Sequence, residues 1–257
     1  MQQSDSRKND HAWRTVTFSN DRGRRLPGLF YACSGMDSAL IVCHGFSGSK
    51  EGGGRALRMA EYLARPGMGV LLFDFAGNGG SEGAFAETTL SGQMADLSCA
   101  ADWCETQGAE RIAGMGRSFG GTTLLCQAAR DSRFRAVCTW ATPVYPLNLF
   151  RGFLQEDRED HVVLSGENGT IELKRDFMDD LAEHDVQACA AAIPPRPLLI
   201  VHGERDEVVP PHEAEVIRKA AASGSRKHLI PEADHRFSMG VEKVWQLCRE
   251  CLEESFG

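Results

Sequence analysis

The sequence predicts an α/β fold, with a mostly parallel central sheet and helices on both faces, and three observations carry that prediction. Short continuous apolar runs, among them residues 39–43, 70–75 and 197–202, alternate with longer segments of helical spacing. Runs of that kind suit strands buried on both faces, as in a parallel sheet covered by helices. Residues 110–129 compress a strand, a glycine-flanked turn and a helix into twenty positions. Composition agrees: 257 residues with 42% hydrophobic and 25% charged side chains suit one large α/β domain with an ample core.

Each element follows in turn. Residues 13–18 and 26–33 read as two strands around the turn signal Asn20-Asp21-Arg22-Gly23, an antiparallel hairpin at one edge of the sheet. The apolar run 39–43 ends at His44-Gly45-Phe46, a helix spans about 54–64, and 70–75 is the next buried strand. A helix over about 88–106 sets Met94, Leu97, Ala101 and Cys104 on one side. Strand 110–115 and helix 121–129 flank the glycine turn, and 136–140 is the next strand. Strand 197–202, helix 211–222, strand 227–230 and a closing helix over about 239–254 complete the alternation.

Residues 143–195 break the rhythm, because two strands are separated by far more than a usual connection. Leu147, Leu149, Phe150, Phe153 and Leu154 are followed by the charged run 156–160, which reads as a solvated face. Residues 162–164 and 170–173 flank 165–169 as a hairpin, and an amphipathic helix lies around 177–182. Long insertions of this kind are usually functional, so about 144–195 is expected to form a cap over the active site. Residues 1–12 are expected to be a flexible N-terminus and 13–257 a single domain carrying that cap.

The net charge of −8 argues against nucleic acid or an anionic membrane as the main partner. No apolar run approaches a membrane-spanning length, and residues 1–12 lack the apolar core of a secretory signal, so a cytoplasmic location is expected. The nine cysteines are scattered, several in apolar segments, and read as buried free thiols. Cys248 and Cys251 have C-x-x-C spacing without a second pair, so neither a metal nor a cofactor is expected.

The chemistry centres on Gly116-Arg117-Ser118-Phe119-Gly120. A sharp strand-to-helix turn strains its central residue and needs small neighbours two positions away, which leaves Ser118 Oγ open at the end of the sheet. A second match, Gly79-Gly80-Ser81-Glu82-Gly83, follows a glycine-rich loop and opens no helix, so Ser81 reads as a loop residue. A neutral serine needs a base. His235, in a loop after the last strand, suits that role, and Asp206 suits the acceptor that fixes its tautomer. Glu204 and Glu207 are nearby rivals, and Asp234 is too close in sequence to orient His235 easily. Backbone N–H groups of Phe119 and Phe46 are the expected oxyanion donors, with His44 propping the second loop.

These pieces resemble the α/β-hydrolase fold, and within it bacterial feruloyl/cinnamoyl esterases and related serine esterases. The motifs are His44-Gly45-Phe46, the segment 73–83, the turn at Ser118, His202-Gly203-Glu204-Arg205-Asp206 and Ala233-Asp234-His235, in the family's order across most of the chain. The resemblance implies ester hydrolysis through an acyl-enzyme and a cap where 143–195 lies. Arg117 departs from it, since relatives often carry histidine before the serine.

The expected function is a serine carboxylic-ester hydrolase acting on small-molecule esters with an apolar or aromatic acyl group. Phe150, Phe153 and Phe177 either pack the cap onto the main domain or, in at least one case, line the acyl site. Aminopeptidase-like, thioesterase and cofactor-free perhydrolase activities share the same triad, and a non-catalytic binding protein is the alternative from another class. The sequence leaves monomer and homodimer open.

Overall fold

The computed structural model describes residues 11–32, 34–166, 169–221 and 224–256. The expected flexible N-terminus therefore lies almost wholly outside the described residues, as do Cys33, Glu167, Asn168 and Ala222.

Alternation of apolar runs and amphipathic segments builds an eight-stranded sheet. Its strands are β1 (Ala12–Ser19), β2 (Arg25–Ala32), β3 (Ser38–Cys43), β4 (Met68–Phe73), β5 (Arg111–Arg117), β6 (Phe134–Trp140), β10 (Leu198–Gly203) and β11 (Ser225–Ile230). They lie in the order β1-β2-β4-β3-β5-β6-β10-β11. The hairpin β1–β2 forms one edge and β2 runs antiparallel to β4, while every remaining pair is parallel. In β4 and β10 every residue is buried, as a strand covered on both faces requires.

Side-chain alternation divides the apolar residues into two layers. On one face Leu40, Val70, Ala113, Met115 and Val201 pack against α1 (Arg55–Leu63) and α8 (Val241–Phe256). On the other, Ile41, Leu71, Phe73 and Ile112 pack against α2 (Leu90–Thr106), α3 (Phe119–Arg130) and α7 (His212–Ala221). Thr89 caps α2, its hydroxyl accepting from Gly92 N at 3.0 Å. Cys138, Cys248 and Cys251 are buried free thiols in the first layer. Among the described residues, no helix is long and apolar enough to cross a membrane.

The interval between β6 and β10 carries α4 (Pro146–Gly152), β7 (Leu154–Asp157), β8 (His161–Gly166), β9 (Gly169–Lys174), α5 (Asp176–Ala182) and α6 (Val186–Ala191). β7, β8 and β9 form a separate antiparallel sheet. Val162, Leu164, Leu173, Phe177 and Leu181 join the same apolar layer as α2 and α3. The interval is thus anchored on one face of the main sheet, away from α1 and α8. Part of the charged run is strand: Glu156 and Asp157 belong to β7, an exposed edge.

Candidate active site

The carboxyl ends of β3, β5, β10 and β11 bring the chemistry together, where ligands bind in open α/β sheets. β5 ends at Arg117, α3 begins at Phe119, and Ser118 between them has φ 51° and ψ −126°. That backbone is costly for a residue with a side chain and persists only where its surroundings impose it. Ser118 N donates to Trp140 O at 2.9 Å, while Gly121 N and Thr122 N donate to Ser118 O. The flanking glycines are steric necessities. A Cβ on Gly116 would strike the Gly120 carbonyl, and one on Gly120 would strike the carbonyl oxygens of Cys43 and His44.

Ser118 Oγ lies 3.1 Å from His235 Nε2, and His235 Nδ1 lies 2.9 Å from Asp206 Oδ2. With the proton on Nδ1, His235 donates to Asp206 and accepts from the serine hydroxyl. The loops after β10 and β11 are stitched together to hold this geometry, since Glu204 N donates to Ile230 O and Arg205 N to Ala233 O. Glu204 and Glu207 point to solvent, and Asp234 accepts from Ser238 N at 2.8 Å. Of these four acidic residues, only Asp206 meets the imidazole.

Asp206 is 7% exposed and fixed from several sides. Its Oδ1 accepts from Val208 N and Val209 N at 2.9 and 2.8 Å. Its Oδ2 lies 3.1 Å from Nε2 of His202, a fully buried residue of β10. Burial alone would raise the Asp206 pKa, but the hydrogen bonds from His202 and His235 hold the carboxyl well below the usual carboxylate range. His202 has no assigned role in the sequence reading, although its i, i+4 spacing to Asp206 in a strand-to-turn segment was the available signal.

The loop after β3 forms the facing wall. His44 Nδ1 donates to Gly45 O at 2.8 Å, and His44 Nε2 accepts from Phe75 N at 3.2 Å. Burial pushes His44 below its ordinary pKa, which keeps the ring neutral and able to accept that bond. The same loop is braced by Asp74, whose carboxylate accepts from Lys50 N, Lys50 Nζ and Gly80 N at 2.6, 2.7 and 2.9 Å. Phe119 is the first residue of α3, so its N–H has no acceptor within the helix.

The Phe46 ring is packed by Phe119, Phe150 and Phe177 with centroid separations of 5.9, 4.8 and 5.6 Å. Phe177 is fully buried and Phe150 is 3% exposed, so both fasten the interval 144–195 to the loop that carries Phe46. Phe153 is only partly buried beside Phe150, 6.3 Å between centroids.

A sequence model of the prolyl oligopeptidase family (Peptidase_S9) matches residues 57–253, most of the chain. The chain belongs to the prolyl oligopeptidase family. It is a hydrolase of the α/β-hydrolase fold, and its fold is similar to that of Est1E from Butyrivibrio proteoclasticus, whose structure with bound ferulic acid has a TM-score of 0.84 at 23% identity. That likeness covers 94% of this chain and 99% of the other. The esterase domain of a Rhodothermus marinus protein has a TM-score of 0.76 at 24% identity, covering 96% of this chain and all of that one. In sequence, an uncharacterized protein of Mycobacterium tuberculosis is 28% identical over 87% of this chain and 73% of its own length. The uncharacterized protein YfhR of Escherichia coli K12 is 25% identical over 86% and 72% respectively.

Proposed function

We propose that this protein is a serine hydrolase that cleaves small carboxylic esters through an acyl-enzyme intermediate. One observation carries the reading: a strained serine at a strand-to-helix turn whose Oγ lies 3.1 Å from an imidazole that is itself held by a buried carboxylate. His235 Nε2 takes the hydroxyl proton as Ser118 Oγ attacks the ester carbonyl. The oxyanion that develops is met by the N–H groups of Phe46 and Phe119. His235 then returns the proton to the departing alcohol, and water, deprotonated by the same imidazole, releases the acid. Asp206 keeps Nδ1 protonated throughout and stabilises the imidazolium.

The acyl group is apolar or aromatic. The Butyrivibrio esterase that shares this fold holds ferulic acid, and the half-buried Phe153 supplies an aromatic edge on the side of residues 144–195, which act as a cap. Phe150 and Phe177 contribute by packing that cap onto the Phe46 loop. The family match favours a second reading, an aminopeptidase-like enzyme using the same three residues on an amide.

A fluorophosphonate probe, followed by intact-mass and peptide analysis, should modify Ser118 alone. Turnover of acetyl, butyryl and benzoyl esters, thioesters and aminoacyl amides then separates the readings. Ester turnover with a preference for aromatic acyl groups is expected. Turnover of aminoacyl amides above all esters would replace the ester reading by the second one. Probe-resistant protein without any turnover would remove both.

A further inference from the structure

Beside Ser118, on the face of the sheet that packs α1 and α8, lies a cavity of about 140 Å³. It is bounded by the loop after β3, the start of α1, the end of β5, Arg236 next to His235, and the start of α8. Its apolar wall is Met59, Trp140 and Trp245. Gly45 joins it to the chemistry, because this glycine lines the cavity and a Cβ built on it would lie 4.0 Å from Ser118 Oγ. Phe46, which the cap residues Phe150 and Phe177 pack, lines it as well, but no residue of 144–195 does.

The charged side chains of this cavity are unusual for a chain of net charge −8. Arg117, Arg55, Arg236 and Lys50 line it, with no carboxylate among its lining residues. Lys50 is already neutralised by Asp74 at 2.7 Å and Glu51 at 3.4 Å. Arg55 Nη1 donates to Arg236 O at 3.0 Å, which ties the start of α1 to the loop carrying His235. Arg117 differs from both. It is paired with Trp140 in the β5–β6 register, and its Nε is buried with no hydrogen-bond partner. Burial, and then the neighbouring guanidiniums of Arg236 and Arg55, press its pKa below the ordinary arginine range. The carboxylates of Asp206 and Asp234 offset this in part, but Asp206 is held by two histidines and Asp234 by the Ser238 N–H. A buried donor left unsatisfied is costly, and an anion arriving at it would recover that cost.

We propose that this cavity is the specificity site for a carboxylate carried by the substrate, with Arg117 as its principal anchor. The inference rests on the ester-hydrolase reading and adds the charge of the substrate to it. A cavity of this size accepts a group of about one aromatic ring, since an apolar cavity of about 150 Å³ holds benzene. The substrate is therefore a compact ester whose apolar or aromatic body lies along Trp140 and Met59 and ends in a carboxylate at the guanidinium.

Two substrate pairs test it and tell which side of the ester bears the charge. For the acyl side, mono-4-nitrophenyl terephthalate is compared with 4-nitrophenyl 4-methylbenzoate. For the alcohol side, 4-acetoxybenzoate is compared with 4-methylphenyl acetate. In one pair the wild-type enzyme should favour the anionic ester in kcat/KM by about 10-fold or more. Arg117→Met should lower that ratio by about 10- to 100-fold, whatever it does to the absolute rates, and Arg117→Lys should restore part of it. Equal rates within both pairs, or an Arg117→Met variant that slows both members of a pair by one factor, would overturn the proposal while leaving the esterase reading intact. Should no ester be turned over, calorimetry on Ser118→Ala decides for the cavity alone. Benzoate should bind more tightly than benzamide and lose about 10-fold or more in affinity with Arg117→Met added. Failure of benzoate to bind, or indifference to Arg117, would remove the site.

Discussion

Ser118 and Ser81 occupy the same five-residue pattern of glycines, and both follow buried strands of one sheet. Their surroundings diverge completely. Ser118 is the single residue between β5 and α3, at φ 51°, with its hydroxyl facing an imidazole. Ser81 comes eight residues after the end of β4, and the next α-helix starts only at Leu90. Its N–H donates to Asn78 O at 2.9 Å and its hydroxyl to Asp74 O at 2.6 Å. Small flanking residues permit a tight turn, but they do not supply a base. The glycines around Ser118 let α3 approach the loop after β3, whereas those around Ser81 fold a loop whose Asp74 braces Lys50.

The largest test of this contrast is activity. Ser118→Ala should lower kcat by about 10³-fold or more, while Ser81→Ala should stay within about threefold of wild type. Asp206→Asn should cost about 10³- to 10⁴-fold, because an amide can no longer hold His235 in the tautomer that accepts the serine proton. A phosphonyl adduct found by mass analysis on Ser81 would reverse the assignment of the two serines.

A second test uses the last glycine of each pattern. Gly120→Ala drives a Cβ into two main-chain carbonyls, which cannot swing aside. It should cost about 3 kcal/mol or more, or prevent folding, the scale of an overpacked core with a shifted backbone. Gly83 has φ 104°, but its added Cβ meets the movable end of the Arg24 side chain. Gly83→Ala should therefore cost only about 1–2 kcal/mol, chiefly from its backbone angle. Urea midpoints that fall equally for both variants would show that the two turns are equally tight.

How much of this was legible before the fold was known follows from the same physics. Ser118, His235 and Asp206 stand at the ends of apolar runs, where local patterns mark both the strand and the turn. The turn signal at residues 20–23 likewise marked the hairpin β1–β2, which forms an edge of the sheet. His202 escaped because it closes a continuous apolar strand, and a polar atom there reads as core until its partner across the turn is seen. β7 escaped because an exposed edge strand carries its charges on both faces and shows no period of two. α6 left a signal that went unread: Asp185 caps it, accepting from Ala188 N at 2.9 Å. Arg117 was visible only as a departure from the resemblance, since a cavity made by α1, α8 and two loops has no trace in any one segment.

The acid limb of stability separates the two serine regions further. Asp206 is held well below the usual carboxylate range, with hydrogen bonds from His202 and His235 outweighing its burial. Its unfolded counterpart titrates near 3.9. Between those values the unfolded chain binds the extra proton, so the stabilisation is present above about pH 4 and is lost as pH falls through the folded value. Asp206→Asn should accordingly show a shallower fall in urea midpoint from pH 5 to pH 3 than wild type, and Ser81→Ala should run parallel to wild type. Parallel curves for Asp206→Asn and wild type would show that this carboxylate carries no such linkage.

The smallest expected effect belongs to Ser81 itself. Its hydroxyl donates to the Asp74 carbonyl, and the Asp74 side chain holds both nitrogens of Lys50 at the far end of the loop that carries Gly45 and Phe46. Ser81→Ala removes one partly buried hydrogen bond and leaves every bond to the Asp74 carboxylate in place. A loss of about 1 kcal/mol follows, or about 2–4 °C in Tm for a chain of this size. Because the Asp74–Lys50 pair survives, kcat/KM measured well below Tm should keep its value and its pH profile. Asp74→Asn is the sharper comparison. It weakens the ion pair to Lys50 that braces the Phe46 loop, so it should lower kcat more than Ser81→Ala at equal loss of Tm. If the two variants instead lose activity in proportion to their lost stability, the loop around Ser81 supports the fold as a whole and has no particular hold on the wall facing Ser118.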